Sequence, residues 1–170
     1  MVKKVLFVIA QSDFRDEELN QPKEVLDRRK IEVKIASKTR HKAMGKLGTE
    51  IEPDLSLAEV KVSDFDALVM VGGSGAADYL EDNEVLDLIK EFKSAGKILG
   101  AICLAPSILA NAGALIGKNV TSFSTEEQSL RDKGAKYTGM QVEIDGKVIT
   151  AKDPSAAVEF GEKLAYLLEE

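Results

Sequence analysis

Cys103, the only cysteine among 170 residues, stands where the apolar run Ile98-Leu99-Gly100-Ala101-Ile102 gives way to the helical pattern Leu104-Ala105-Pro106-Ser107-Ile108-Leu109-Ala110. A sharp strand-to-helix turn there would expose the sulfur, and the free N–H groups and positive dipole end of the following helix would stabilise a thiolate. A lone cysteine is more often a small buried hydrophobe, but this position favours a nucleophile. No imidazole accompanies it. Leu104 follows directly, and the only histidine, His41, lies in the basic turn Lys38-Thr39-Arg40-His41-Lys42, where it reads as a solvated loop residue.

Two further segments carry chemistry. After Ala10 comes Gln11-Ser12-Asp13-Phe14-Arg15-Asp16-Glu17-Glu18, with four acids at a loop-to-helix junction. Acids in a first helical turn complement the dipole and stay solvated, which is the expectation for Asp16 and Glu17, while one acid turns inward to the thiol. After Val71 comes Gly72-Gly73-Ser74-Gly75. Glycines let backbone N–H groups approach a substrate as an oxyanion hole or anion nest, and they also make plain tight turns. The match to a dinucleotide fingerprint is poor and no P-loop is present, so no cofactor is expected, and no metal site either.

The elements that position these segments follow from hydrophobic period. Val5 to Ala10, Val33 to Ala36, Ala67 to Val71 and Ile98 to Ile102 are nearly continuous in apolar residues, as strands buried on both faces must be. Helical spacing over Glu24 to Asp27 and Val85 to Phe92 lies between them, and this alternation predicts βαβ units, hence an α/β fold with a mostly parallel sheet. Val142 to Ile149 predicts a hairpin turning at Asp145-Gly146, and the last helix should begin near Pro154. Ligands in such sheets bind beyond the carboxyl ends of the strands, where the three candidate segments fall. The length fits a single domain over 1–170, with 44% hydrophobic and 31% charged residues. A net charge of -6 without a basic stripe argues against nucleic acid, no segment is long enough to span a membrane, and Met1 to Val8 is too short and β-branched for a signal peptide. One cysteine excludes an internal disulfide and makes a cytoplasmic setting the default.

Glu18-Leu19-x-x-Pro22, Phe65-Asp66-Ala67-Leu68-Val69-Met70-Val71-Gly72-Gly73 and Ala101-Ile102-Cys103-Leu104-Ala105-Pro106, in this order and spacing, resemble the ThiJ/PfpI family of intracellular peptidase-like, glyoxalase-like and deglycase proteins, within the class I glutamine-amidotransferase-like superfamily. The resemblance covers essentially the whole chain. It implies a flavodoxin-like three-layer sandwich, a homodimer or larger homo-oligomer, Cys103 as nucleophile in a strained elbow, Glu18 as the acid beside the sulfur, and the backbone N–H groups of Gly73 and Leu104 as oxyanion hole.

The chain also departs from the family. Relatives of the peptidase-like branch place a histidine after the cysteine, where this chain has Leu104. Those of the deglycase-like branch bring one from the segment matching Val120-Thr121-Ser122-Phe123-Ser124, with Phe123 in its place. Lys152 stands at the family's late arginine position, and Asp78 lies in a loop where some relatives present an acid. Without imidazole, Glu18 is the only matched general acid/base. Carbonyl chemistry on a small aldehyde such as methylglyoxal therefore ranks above peptide hydrolysis, because a glyoxal is electrophilic enough not to need a strongly activated thiol. The alternative is a non-catalytic, redox-responsive or chaperone-like oligomer in which Glu18 hydrogen-bonds an oxidised Cys103.

Overall fold

The computed structural model describes residues 1–170. Along the chain run β1 (Lys4–Val8), β2 (Ser12–Phe14), α1 (Asp16–Arg28), β3 (Glu32–Ser37), β4 (Ala43–Gly45), β5 (Glu50–Ile51), β6 (Leu55–Ser56), β7 (Ala67–Met70), α2 (Asn83–Ser94), β8 (Ile98–Ile102) and α3 (Pro106–Asn111). There follow β9 (Asn119–Val120), α4 (Glu127–Asp132), β10 (Lys136–Tyr137), β11 (Val142–Asp145), β12 (Val148–Ala151) and α5 (Ala157–Glu169). Seven strands form the central sheet in the order β11-β12-β8-β7-β1-β3-β6, with only β11 antiparallel to its neighbour. The expected α/β architecture with a mostly parallel sheet is therefore the observed one.

Helices cover this sheet. Helices α1 and α5 pack on each other, and α2 lies against β7 and β8 and touches α3. The first pair approaches closely because Gly161 has no side chain: a Cβ there would stand 2.9 Å from Pro22 Cα. Pro22 sits inside α1, where it forgoes one backbone hydrogen bond, so this helix depends on tertiary packing to hold its first turn in place.

The chain leaves β1 for β3 on one side of the sheet and later returns to β7 on the other. That reversal opens a crevice at the carboxyl ends of β1 and β7, the usual ligand position in an open α/β sheet. Two local details differ from expectation. The hairpin pairs Asp145 with Val148, so its two turn residues are Gly146 and Lys147 rather than Asp145 and Gly146. Gly146 takes φ 61° at the first turn position, the conformation that a two-residue hairpin requires there. The last helix is preceded by a 3₁₀ turn, Pro154–Ala156, capped by the Asp153 side chain accepting from Ser155 N–H.

Candidate active site

Cys103 follows the last residue of β8 and has φ 66°, a left-handed conformation that costs a side-chain-bearing residue about 1–2 kcal/mol. Both of its backbone groups are held. Its N–H donates to the Ala151 carbonyl at 3.0 Å, and its carbonyl accepts from Phe123 N–H at 2.9 Å, so β12 and the 120–124 segment fix the turn from either side. The sulfur is left half-buried, and the N–H groups of Leu104 and Gly73 face it closely enough to draw its pKa down. Gly73 takes φ 99°, and any Cβ there would meet the backbone of Asp13, Phe14 and Arg15. Glycine is required because the loop after β7 lies directly on the loop after β1.

Glu18 lies in the first turn of α1 and is wholly buried. Its Oε1 accepts from Gly72 N–H at 3.0 Å. A Cβ on Gly72 would collide with that oxygen and would approach Cys103 Cβ to 2.9 Å, which places the carboxyl and the nucleophile on the same small patch. The thiol is near enough to act on the carboxyl as a donor. The contact falls short of a well-formed hydrogen bond, however, and Oε2 is the one buried side-chain polar atom in the chain without a partner. Burial lifts the Glu18 carboxyl to about 8, against the pull of the thiol and of Gly72 N–H. Burial, followed by the charge and hydrogen-bonding demand of Glu18, pushes the Cys103 thiol up to about 12, while Leu104 and Gly73 N–H draw it down. When Glu18 carries a proton, both of its effects on the thiol vanish and the carboxyl becomes a donor to sulfur. The pair therefore gives up its first proton near pH 8 as a unit.

The neighbouring acids behave differently from expectation. Asp16 is not solvated: it is 4% exposed and accepts from Leu47 N–H at 2.8 Å and Thr49 N–H at 2.9 Å, clamping the 45–49 turn. Burial raises its pKa, and the hydrogen bonds from Thr49 and Leu47 more than offset that, leaving it below the ordinary value. Glu17 is not free in solvent either. It pairs with Arg15 through two hydrogen bonds, Nε to Oε1 at 3.0 Å and Nη2 to Oε2 at 2.9 Å, which hold its pKa down. Arg15 escaped sequence reasoning. It precedes α1 in extended backbone, so no helical spacing relates it to Glu18.

Phe123 occupies the segment next to the nucleophile through its backbone alone, and its ring is exposed. His41 is exposed in its turn, where its carbonyl accepts from Gln11. Asp78 is exposed beside a polar cavity shared with Ser107 and Glu126, and Lys152 is half-buried with its N–H donating to Gln141. No imidazole is brought to Cys103.

A strained cysteine at the end of a parallel strand, a buried glutamate from the first turn of α1 and a glycine-rich turn after β7 thus meet at the carboxyl end of the sheet. The DJ-1/PfpI family model matches residues 3–167. The chain belongs to the DJ-1/PfpI family. Relatives include a glutathione-independent glyoxalase of Caenorhabditis elegans, 30% identical over 98% of this chain and 89% of that protein. A deglycase of Pyrococcus horikoshii is 31% identical over 98% of this chain and 99% of that one. Among solved structures, a ThiJ/PfpI domain protein from Brachyspira murdochii superposes with a TM-score of 0.96 at 31% identity, covering 99% of this chain and 97% of that chain. The flavodoxin-like sandwich is common to this DJ-1/PfpI chain and its structural neighbours. No helix of the chain is long and apolar enough to cross a membrane.

Proposed function

We propose that this chain converts small 2-oxoaldehydes to 2-hydroxy acids through a covalent adduct on Cys103. The observation that carries the reading is the buried Glu18 carboxyl, lifted to about 8 and with one oxygen unpartnered, set against the thiol of a strained elbow. The glyoxalase and deglycase names of relatives agree with chemistry on reactive carbonyls.

In the pair that has lost one proton, sulfur bonds to the aldehyde carbon and the remaining proton passes by way of Glu18 to the aldehyde oxygen, which the N–H groups of Gly73 and Leu104 support as charge develops. A neutral hemithioacetal and an ionised Glu18 result. Glu18 then takes the C1 hydrogen as a proton and returns it to C2, while the C1 hydroxyl proton moves to the C2 oxygen. The product of that isomerisation is a thioester, which water cleaves to the 2-hydroxy acid and the free thiol. One carboxyl suffices because each transfer returns the proton it took.

Peptide hydrolysis fits less well. A departing amine must be protonated, and Leu104 and Phe123 occupy the two positions from which relatives supply a histidine. Loss of a general acid/base typically costs about 10²–10⁴ in rate. The test is turnover of methylglyoxal by the purified protein: Cys103→Ser should abolish it and Glu18→Gln should lower it by about 10²–10⁴. Because the reactive form has lost one proton, kcat/KM should rise with pH, pass half its limit near 8 and level off above that. Robust cleavage of a fluorogenic peptide that disappears in Cys103→Ser, with no aldehyde turnover, would overturn the reading.

A further inference from the structure

Arg15 is a cation whose charge acts on Glu18 and reaches Cys103, and the mechanism above leaves it unused. Its placement is built rather than incidental. Its backbone N–H donates to the Gly72 carbonyl at 2.9 Å, and its backbone nitrogen lies against the space that a Cβ on Gly73 would need, so the residue is anchored to the glycine turn whose N–H groups serve the thiol and Glu18. Glu17 then orients the side chain. The two-point pair occupies Nε and one N–H of Nη2, which fixes the plane of the guanidinium. Three of its five N–H donors, two on Nη1 and one on Nη2, have no acceptor in the protein, and the side chain is 33% exposed. A planar cation held by its back edge, with its remaining donors open and its backbone anchored to the glycine turn beside the nucleophile, is a site for negatively charged oxygen.

We propose that Arg15, oriented by Glu17, holds the oxyanion that develops on the second carbonyl of a 2-oxoaldehyde bound at Cys103, and afterwards the carboxylate of the product. When Glu18 removes the C1 hydrogen as a proton, the electron pair of that bond moves through C2 onto the second carbonyl oxygen, giving an enediolate. Gly73 and Leu104 serve the first oxygen; Arg15 serves the second. The substrate class follows: aldehydes with an oxygen on the adjacent carbon meet two separate donor sets, whereas simple aldehydes use only one. This assignment rests on the carbonyl reading for its turnover arm, and the anion-holding role is separately testable.

Because the chain has a single cysteine, whole-protein mass spectrometry follows alkylation of Cys103 alone. Rates with iodoacetate and with iodoacetamide are measured on the same protein, and in their ratio any change of thiolate fraction cancels. Arg15→Gln should lower the iodoacetate-to-iodoacetamide ratio by about fivefold, the size expected of one part-exposed cation in screened solvent, and Arg15→Lys should largely restore it. Glu17→Gln, which leaves Arg15 present and removes its compensating anion, should raise the ratio. In turnover, Arg15→Gln should lower kcat for methylglyoxal by about tenfold with a smaller change in KM, since the enediolate charge exists only after binding. An unchanged alkylation ratio in both Arg15→Gln and Glu17→Gln would overturn the anion site. A fallen ratio with unchanged kcat would overturn its part in the enediolate step. Should the wild-type protein turn over no 2-oxoaldehyde, the carbonyl reading fails, and the alkylation ratio alone then decides whether Arg15 holds an anion.

Discussion

Replacing Glu18 by glutamine should change the pH dependence of folding in a way that can be calculated. In the unfolded chain this carboxyl titrates near its ordinary value of 4.5, and in the folded protein burial lifts it to about 8. Between those values the native state keeps a proton that the unfolded state has lost, so stability falls as pH rises. At about 1.36 kcal/mol per unit, the loss amounts to about 3 kcal/mol between pH 4.5 and pH 7, and approaches about 5 kcal/mol as pH passes 8. Glutamine keeps an acceptor for Gly72 N–H and cannot ionise, so Glu18→Gln should lack this loss entirely. The two proteins should be nearly equal in stability at pH 4.5, with the variant ahead by about 3 kcal/mol at pH 7. With a guanidinium slope of about 4–5 kcal/mol/M, that is a midpoint difference of roughly 0.7 M. The chain has no tryptophan, so far-UV circular dichroism is the suitable probe. Carboxylates whose pKa is lowered, such as Asp16, Glu17 and Asp82, lose their contribution as pH falls, in both proteins alike, and cancel in the difference. A flat difference curve from pH 4.5 to 8.5 would mean that the native carboxyl is not held protonated, and the proton shuttle assigned to it would fall with that result.

Three more outcomes follow from the packing. Asp16→Ala strands the N–H groups of Leu47 and Thr49 and should cost about 2–4 kcal/mol, with faster amide exchange confined to the 45–49 turn; unchanged exchange there would show that the clamp is dispensable. Gly161→Ala pushes a methyl group onto the backbone at Pro22 and should cost about 1–3 kcal/mol in thermal unfolding, whereas a neutral result would mean that α1 and α5 slide apart freely. Cys103→Gly relieves the left-handed strain that Cys103→Ala retains, so the glycine variant should be the more stable of the two by about 1 kcal/mol; the reverse order would argue that the elbow is unstrained.

The sequence by itself determined the sheet strands and the elbow. Parallel strands covered on both faces must be apolar at every position, which is why Val5–Val8 and Ala67–Met70 are readable without a partner in view. Likewise a cysteine between such a run and a proline that can open a helix marks a strand-to-helix turn whatever surrounds it. The fates of Asp16, Glu17 and Glu18 were not legible in the same way. Three consecutive acids in a first helical turn point in directions about 100° apart, and local chemistry favours all three equally because each complements the dipole. Only tertiary structure chose among them. Gly72 of the loop after β7 offered its N–H to Glu18, the turn at 45–49 offered two to Asp16, and Arg15 claimed Glu17. Arg15 itself reads as an ordinary charged residue until β1 and β7 lie side by side and set its backbone against the glycine turn. Hydrophobic period records burial, which every residue in a strand feels, whereas the pairing of one acid with one donor depends on the phase of α1 against a loop more than fifty residues away, and that phase is fixed by packing.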